Sequence, residues 1–520
     1  MSVYVFNILV DYMPNGIDNA QGYREKIFNQ IGIDGYYVFT NFPKMRNISL
    51  YNNVGIPVNK MVNPILKMTG RDYFDFDAET DVMVLELEQN LNVDKVIYVE
   101  NAVQLWKNGC IVAEIHTVPN DSNHFYEVYY FKNNCLIKAD FYSHGRVYSD
   151  FFITASRDNG SLYAKKVKRV FYMKNGEVCL EQIENNYIMN NGKIIDCYEI
   201  IDLYLDLLNL NENDSIIMDR AYNLEFNDII LGKKLPCKKI CVIHSGHYFE
   251  PNQSMYALYL SYEYYYWFKY SKYIDSFVVS TENQKKDLIR VLNKYDYAIP
   301  NIEVIPVGAV DNLCVSNDRK QNSILTASRI VRGKRIDLII RSVIEAHKKN
   351  SNISLDIYGK GDVSVQNELV EIIQKNDASE YIHFMGFQRL DDVYKNYQLY
   401  ISTSIFETFG LTLLEAASSG CALIGLDVPY GNTTFIENEK NGYLVEYNFN
   451  RDISYENELV KVIADRIVDA FSDYRRLNEF SEHSYKIANE FLQISCYKDK
   501  REMEVYFKKI EYLVILENIF

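Results

Sequence analysis

The sequence predicts an α/β protein made of two halves of parallel strands and crossover helices facing a cleft, with an antiparallel β-sheet inserted in the first half. Three observations carry this. Short apolar runs alternate with helical stretches at both ends of the chain. Between about residues 80 and 195 that rhythm gives way to alternating runs joined by tight-turn signals. The 520 residues hold three domains' worth of chain at about 150 residues each.

Taken in order, Met1-Ser-Val-Tyr-Val-Phe-Asn-Ile-Leu-Val reads as a first strand. It has neither a basic stretch nor a small-residue cleavage site, so a signal peptide is not expected. The turn-like Met13-Pro-Asn-Gly16 and a helical pattern over 19–31 complete a strand–loop–helix unit. The middle texture is a series of hairpins. One turns at Asn108-Gly109, one at Asn133-Asn134 and one at Lys174-Asn-Gly176, which implies a meander inserted into the α/β rhythm. Strand-like runs then resume at Ser215-Ile-Ile-Met, Lys239-Ile-Cys-Val-Ile, Ser276-Phe-Val-Val and Ile302-Glu-Val-Ile, with a helix over 282–293. A second set follows at Ser323-Ile-Leu-Thr-Ala, Ile353-Ser-Leu-Asp-Ile-Tyr, Ile382-His-Phe-Met, Leu399-Tyr-Ile-Ser and Ala422-Leu-Ile-Gly-Leu. Helices are expected over 335–349 and 411–418. Such halves bind ligands at the carboxyl ends of their strands.

Composition narrows the function classes. Lys plus Arg is 55 against 70 Asp plus Glu, a net charge of −15, which argues against a general binder of nucleic acid or anionic membrane. With 48% hydrophobic and 24% charged residues the chain is globular rather than disordered. The aromatic surplus, 44 Tyr among them, reads mainly as compositional bias. No run is long and apolar enough to span a bilayer. The nine cysteines are scattered, odd in number and without a Cys-x-x-Cys pair, so buried free thiols of a cytosolic protein are expected, with neither a zinc site nor a disulfide framework.

Against this acidic background, Arg329-Ile-Val-Arg-Gly-Lys-Arg335 puts four cations into seven residues directly after a strand. A positive pocket at a strand's carboxyl end calls for an anion, most simply a diphosphate. Tyr358-Gly-Lys-Gly-Asp362 follows the next strand, and Gly359 and Gly361 would let backbone approach a phosphate or sugar. Alone that pattern also fits a plain turn. Glu407 and Glu415 lie eight apart, bracketing Thr408-Phe409-Gly410-Leu411 at the start of an apolar helix. The free amides of such a helix suit a phosphate, and the carboxylates suit sugar hydroxyls. His244 sits at the end of the Lys239–Ile243 run, with His247 three residues on. Asp75-Phe-Asp77 is formally an Asp-x-Asp metal motif but reads as a solvated acidic loop.

The order of these pieces, basic loop, Gly-x-Gly, Glu-x7-Glu, resembles the nucleotide-sugar half of retaining GT-B glycosyltransferases of family 4. The resemblance implies that Arg329 and Lys334 neutralise the donor diphosphate. It implies Glu407 beside the transferred sugar, Glu415 on the ribose hydroxyls and the backbone near Phe387 against the base. Thr408 joins the donor contacts, and the amides of Phe409, Gly410 and Leu411 complete the phosphate cradle. His244 would face the donor sugar. Gly16, in the first strand-to-helix loop, would approach sugar and acceptor. Gly16 to Arg24, the inserted sheet and Asp427 to Ile436 are further similar to one subgroup. That is the catalytic subunit of the two-component O-GlcNAc transferase of serine-rich-repeat adhesins, served by an accessory Sec system. The GT-B resemblance implies two Rossmann-like domains. Expected segments are 1–75 and 196–312 for the N-terminal domain, 76–195 for the inserted partner- and acceptor-binding meander, 313–495 for the nucleotide-sugar domain and 496–520 for a C-terminal helix packing back.

What the resemblance implies for activity is transfer of GlcNAc or glucose from a UDP-sugar to Ser/Thr hydroxyls before the adhesin is exported. Neither cofactor nor metal is expected. The partner would be a homologous non-catalytic subunit, in a hetero-oligomer, and the location the cytoplasm or, peripherally, the inner face of the cell membrane. Val10-Asp11-Tyr-Met-Pro14 departs from the aromatic-Ala-Ser-Ser run of the family. Two rival functions share these motifs. One is a wall teichoic acid α-glycosyltransferase acting on a polyol phosphate, and the other is the non-catalytic partner subunit itself. A retaining glycosidase would have no use for the basic loop.

Overall fold

The structure, a computed structural model, describes residues 2–9, 16–221, 224–249, 259–316, 318–448 and 452–492. The expected C-terminal helix over 496–520 and the departing run at 10–14 lie outside the described residues. Two compact units, Met1–Cys241 and Val242–Ile519, divide the chain near the end of one sheet strand, Lys238–Val242.

A seven-stranded sheet has the order Asn301–Val304, Ser276–Val279, Lys238–Val242, Ser215–Met218, Ser2–Asn7, Asp34–Phe39, Met61–Val62. Ser2–Asn7 is central and pairs in parallel with Ser215–Met218 and Asp34–Phe39. Its inward residues Val3, Val5 and Phe6 are fully buried, as a strand covered on both faces requires. At its carboxyl end a buried polar network forms. Asn7 accepts from Arg220 (2.9 Å) and donates to Gln21 (2.7 Å), Arg220 pairs with Asp18 at 2.7 Å, and Gln21 and Arg24 both donate to Asp219. Every buried polar group here thus has a partner. Asp18, Gln21 and Arg24 come from the helix Gly16–Ile31, which starts three residues before the pattern suggested. Gly16 is therefore the exposed first residue of that helix and not part of a loop.

The inserted texture is a single ten-stranded antiparallel meander, from Lys95–Val99 to Ile194–Ile195, in which each strand pairs with the next in sequence. Asn108 (φ 50°) and Gly109 (φ 75°) make one hairpin turn, and Asn133 and Asn134 (φ 51° and 59°) another. Positive φ at both central residues matches the right-handed twist of the flanking strands, which is why Asn and Gly stand there. On one face the helix Thr80–Leu91 buries Met83, Val84 and Leu87 against Val103, Leu105, Ala113, Ile115, Phe125 and Val128. On the other, Phe42 reaches in among Phe74, Phe141, Tyr148 and Phe171.

Arg71, 1% exposed, joins this sheet to the preceding helix Pro64–Met68. Its guanidinium donates to the carbonyls of Thr69, Ser143, His144, Arg146 and Tyr172 at 2.9–3.4 Å. Asp75 and Asp77 are likewise structural. The Asp75 amide donates to Ser143 Oγ at 2.8 Å, and Asp77 accepts from the His144 amide at 3.1 Å. Among the described residues no group of three or more His, Cys, Asp and Glu is placed to hold a metal ion.

A six-stranded parallel sheet lies in the second unit: Ile382–Gly386, Ser354–Tyr358, Ser323–Ala327, Leu399–Ser402, Ala422–Leu426, Gly442–Val445. Alternate strand residues face opposite ways. Ile324, Ile357, Ile401 and Ile424 meet the helices Ile336–Lys349, Val363–Lys375 and Ile453–Ser472. Leu325, Tyr358, Tyr400 and Leu423 meet Leu411–Ser418 and the end of Tyr474–Asn489.

The eight described cysteines are all free, but only Cys237, Cys241 and Cys421 are buried. Cys110 is exposed because it follows a hairpin turn. Among the described residues no helix is long and apolar enough to cross a membrane.

Replacing Arg71 with Ala would leave up to five carbonyls without a donor. Arg71→Ala should lower unfolding stability by about 3 kcal/mol in chemical denaturation, and Arg71→Lys should not restore it, since one ammonium cannot span five acceptors.

Candidate functional site

The sequence order of the six-stranded sheet reverses between Ser323–Ala327 and Leu399–Ser402. Ligands of open parallel sheets collect at the carboxyl ends of strands at such a switch point. The two loops leaving these strands carry the basic cluster and Glu407.

Those loops are tied to one another. Lys334 Nζ donates to Glu407 Oε2 at 2.7 Å and to Ser404 Oγ at 3.2 Å. Thr403 Oγ1 donates to the carbonyls of Lys334 and Arg335, and the Ile405 amide to that of Gly333. Both charges of the Lys334–Glu407 pair are roughly four-fifths buried, at 23% and 19% side-chain exposure, so the surrounding water screens them little.

The four cations of the cluster sort into different roles. Arg332 pairs with Glu368 at the surface (2.6 Å). Arg335, in left-handed backbone (φ 47°), pairs with Asp337 and Glu456, which anchors the start of helix Ile336–Lys349. Lys334 holds Glu407. Arg329 is exposed, and among the described residues its guanidinium makes no hydrogen bond or ion pair. An unpaired guanidinium beside a switch point is poised for an outside anion.

Gly359 and Gly361 serve a contact the sequence did not suggest. A Cβ on Gly359 would lie 1.9 Å from Ser328 O, and one on Gly361 2.2 Å from Ile330 O. The Ser328 amide bonds Tyr358 O, the Ile330 amide Lys360 O and the Asp362 amide Ile330 O. The glycines thus let their loop lie flat against the basic loop and fix Arg329's backbone. The same stitching continues from the Gly359 amide to Gly386 O at 2.8 Å, one residue before Phe387, which is 69% exposed.

Helix Leu411–Ser418 starts where Gly410 turns through φ 88°. Among the described residues the amides of Phe409, Gly410 and Leu411 make no hydrogen bond, although Phe409 and Gly410 are buried. Free amides at a helix N-terminus suit an anion. Thr408, half-buried, precedes them. Glu407 is held from a second side, as its carbonyl accepts from the amides of Tyr430 (2.7 Å) and Gly431 (2.6 Å).

Glu415, one turn into the helix, does not meet Lys334. Its Oε2 accepts from the hydroxyl of buried Tyr394 at 2.8 Å. Burial pushes its pKa up to about 7, only partly offset by that hydrogen bond.

His244 is half-buried on a rigid loop. Tyr264 Oη accepts from the amides of His244 and Ser245, and Gln284 Nε2 donates to the carbonyls of Ile243 and Ser245. His247, three residues on from His244, is fully buried. Burial pushes its pKa down to about 4, which keeps the ring neutral. Gly16 belongs to the other unit.

Sequence reasoning gave no role of its own to Tyr394, Ser404 or Tyr430, because each acts through a partner 21 or more residues away.

The family model for glycosyl transferases group 1 matches residues 315–485, and that for the GtfA extended beta-sheet domain matches residues 83–191. The UDP-N-acetylglucosamine–peptide N-acetylglucosaminyltransferase GtfA subunit of Streptococcus agalactiae is 33% identical, the match covering 95% of this chain and 96% of that one. The crystal structure of a GtfA/B complex superposes with a TM-score of 0.84 at 27% identity, covering 100% of this chain and 99% of that one. The poly(ribitol-phosphate) alpha-N-acetylglucosaminyltransferase of Staphylococcus aureus (strain COL) is 27% identical over 61% of this chain and 64% of its own.

Two outcomes follow from the geometry. Arg329→Ala should leave the thermal midpoint unchanged, since no internal partner is lost, while weakening pyrophosphate binding about tenfold in titration calorimetry. Glu415 keeps its proton in the fold at pH values where the unfolded chain has lost it, so its contribution to stability falls as pH rises from about 4.5 to about 7. The thermal midpoint of Glu415→Gln should therefore drop less than that of the wild type across this window.

Proposed function

The chain belongs to the family of UDP-N-acetylglucosamine–peptide N-acetylglucosaminyltransferase GtfA subunits, with the GT-B fold, and from that premise we propose how its own residues carry out the transfer. The chain is a UDP-sugar-dependent glycosyltransferase that places GlcNAc on Ser/Thr hydroxyls of a serine-rich adhesin, in a hetero-oligomer with a homologous non-catalytic subunit. One observation carries the residue assignment. Unpaired Arg329 and the free amides of Phe409, Gly410 and Leu411 occupy the loops that leave the two strands flanking the switch point.

Transfer retains the anomeric configuration. The acceptor hydroxyl attacks the face that the leaving diphosphate vacates, and a diphosphate oxygen takes its proton. The transition state is oxocarbenium-like. Negative charge grows on the leaving diphosphate, where Arg329, Lys334 and the helix amides meet it with preorganised donors. Glu407, oriented by Lys334, lies beside the transferred sugar, with His244 on the sugar's other side. Glu415 receives the ribose hydroxyls, and the backbone at Phe387 meets the base. Gly16 approaches sugar and acceptor. No metal enters the scheme. The inserted sheet receives the partner subunit, and the enzyme works in the cytoplasm, at most peripherally at the membrane.

The non-catalytic alternative fits poorly with Arg329, Lys334 and Glu407 all in place. The polyol-phosphate alternative rests on a relative matched over much less of the chain. Co-purified with its partner and given radiolabelled UDP-GlcNAc, the protein should label a Ser/Thr-rich peptide. It should label that peptide in preference to polyribitol phosphate, and activity should persist in EDTA. Lys334→Ala should lower transfer about a hundredfold. Labelling of the polyol alone, or full activity in Lys334→Ala, would sink this assignment.

A further inference from the structure

Within the second unit an aromatic contact joins the His244 loop to the loop after Ala422–Leu426, whose Tyr430 amide bonds the Glu407 carbonyl. The His247 ring lies nearly parallel to that of Tyr430, at 7° with centroids 6.2 Å apart. Phe268 (88°) and Tyr248 (70°) close two further sides edge-on. Both partners are buried, His247 at 0% and Tyr430 at 3% exposure. Offset parallel rings at this separation attract beyond their buried area.

Packing alone does not account for a histidine there. Among the described residues neither ring nitrogen makes a hydrogen bond of good geometry, and a buried unpartnered polar atom is unfavourable. What the surroundings use is the flat face. That face meets Tyr430, whose amide, with that of Gly431, holds the Glu407 carbonyl at 2.7 and 2.6 Å. Gly431 packs closely here, since a Cβ on it would lie 2.2 Å from Phe409 O. Lys334 fixes the Glu407 carboxylate from the opposite side. On the His247 side the loop is equally rigid. Tyr264 and Gln284 bind it at 243–245, and the Ser261 amide donates to His247 O at 3.0 Å.

We propose that His247 is a positioning residue for the transfer reaction: stacked on Tyr430, it sets the place of the Glu407 loop. It touches neither donor nor acceptor. The inference rests on the assignment of Glu407 to the donor sugar, and it adds a residue which that assignment does not contain. Loss of the stack lets the 407–431 contact shift, and shifts of an ångström at a reacting centre cost rate rather than ground-state binding.

Steady-state kinetics of the full chain with its partner subunit, UDP-GlcNAc and a Ser/Thr-rich peptide test this. His247→Phe keeps a flat ring, whereas His247→Leu keeps bulk without one. The phenylalanine variant should hold kcat within about twofold and melt higher than the wild type, since two unpartnered nitrogens are gone. The leucine variant should lose kcat about tenfold with KM for UDP-GlcNAc within about twofold. Tyr430→Leu should lose a similar factor, and the double leucine variant no more than the worse single. Equal kcat in the leucine and phenylalanine variants, a loss confined to KM, or multiplying losses in the double variant would overturn the proposal. Should His247→Leu fail to fold, Tyr430→Leu against Tyr430→Phe makes the same comparison. Wild-type protein without transfer, or Arg329→Ala at full activity, would instead count against the donor-site assignment. Full activity in His247→Leu beside a disabled Arg329→Ala would count against positioning alone.

Discussion

The ion pair between Lys334 and Glu407 is the constraint on which the candidate site depends. It joins the loops of two adjacent strands at the one place where the sheet's order reverses. A lysine four-fifths buried without a carboxylate, or such a carboxylate without a cation, would be unfavourable in the same place. The pair therefore orients Glu407, two residues before the free amides of Phe409 to Leu411. Charge that appears on a leaving group finds its counter-charge already in place, without reorganisation.

Everything around the pair limits how far it can move. The glycines at 359 and 361 allow backbone contacts that any side chain would forbid, and these contacts fix the loop that bears Arg329. The amides of Tyr430 and Gly431 hold Glu407 from behind. The remaining cations are spent on architecture, Arg335 at a helix start and Arg332 at the surface. Only Arg329 is left without an internal partner among the described cations of the cluster. Four positive charges in sequence are thus one unpaired guanidinium, one contact to Glu407 and two structural pairs.

The inserted sheet shows the same economy of polar groups. Its strands, hairpins and turn residues follow from local pattern, but its attachment does not. Arg71 precedes the nearest of its sheet acceptors by 72 residues and binds carbonyls alone, so no opposite charge in the sequence advertises it. Burial pulls its pKa down, and the carbonyl dipoles of the turn at Ser143 to Arg146 keep the guanidinium in place.

The sequence by itself determined the alternation of strand and helix, the antiparallel insertion with its Asn-Gly turns, and the order of basic loop, Gly-x-Gly and Glu-x7-Glu. These are local patterns whose period or turn chemistry is written in neighbouring residues. It also yielded the family, through motifs that stand in the expected order. Tertiary structure decided which cation meets which carboxylate, that Glu415 answers to Tyr394 and not to Lys334, and that the glycines serve loop packing. It moved Gly16 from a loop to a helix start, and it buried His247 against Tyr430. The reason is physical. A contact's energy depends on distance and burial, and both are set by parts of the chain that come together only when the sheets and helices close on their cores.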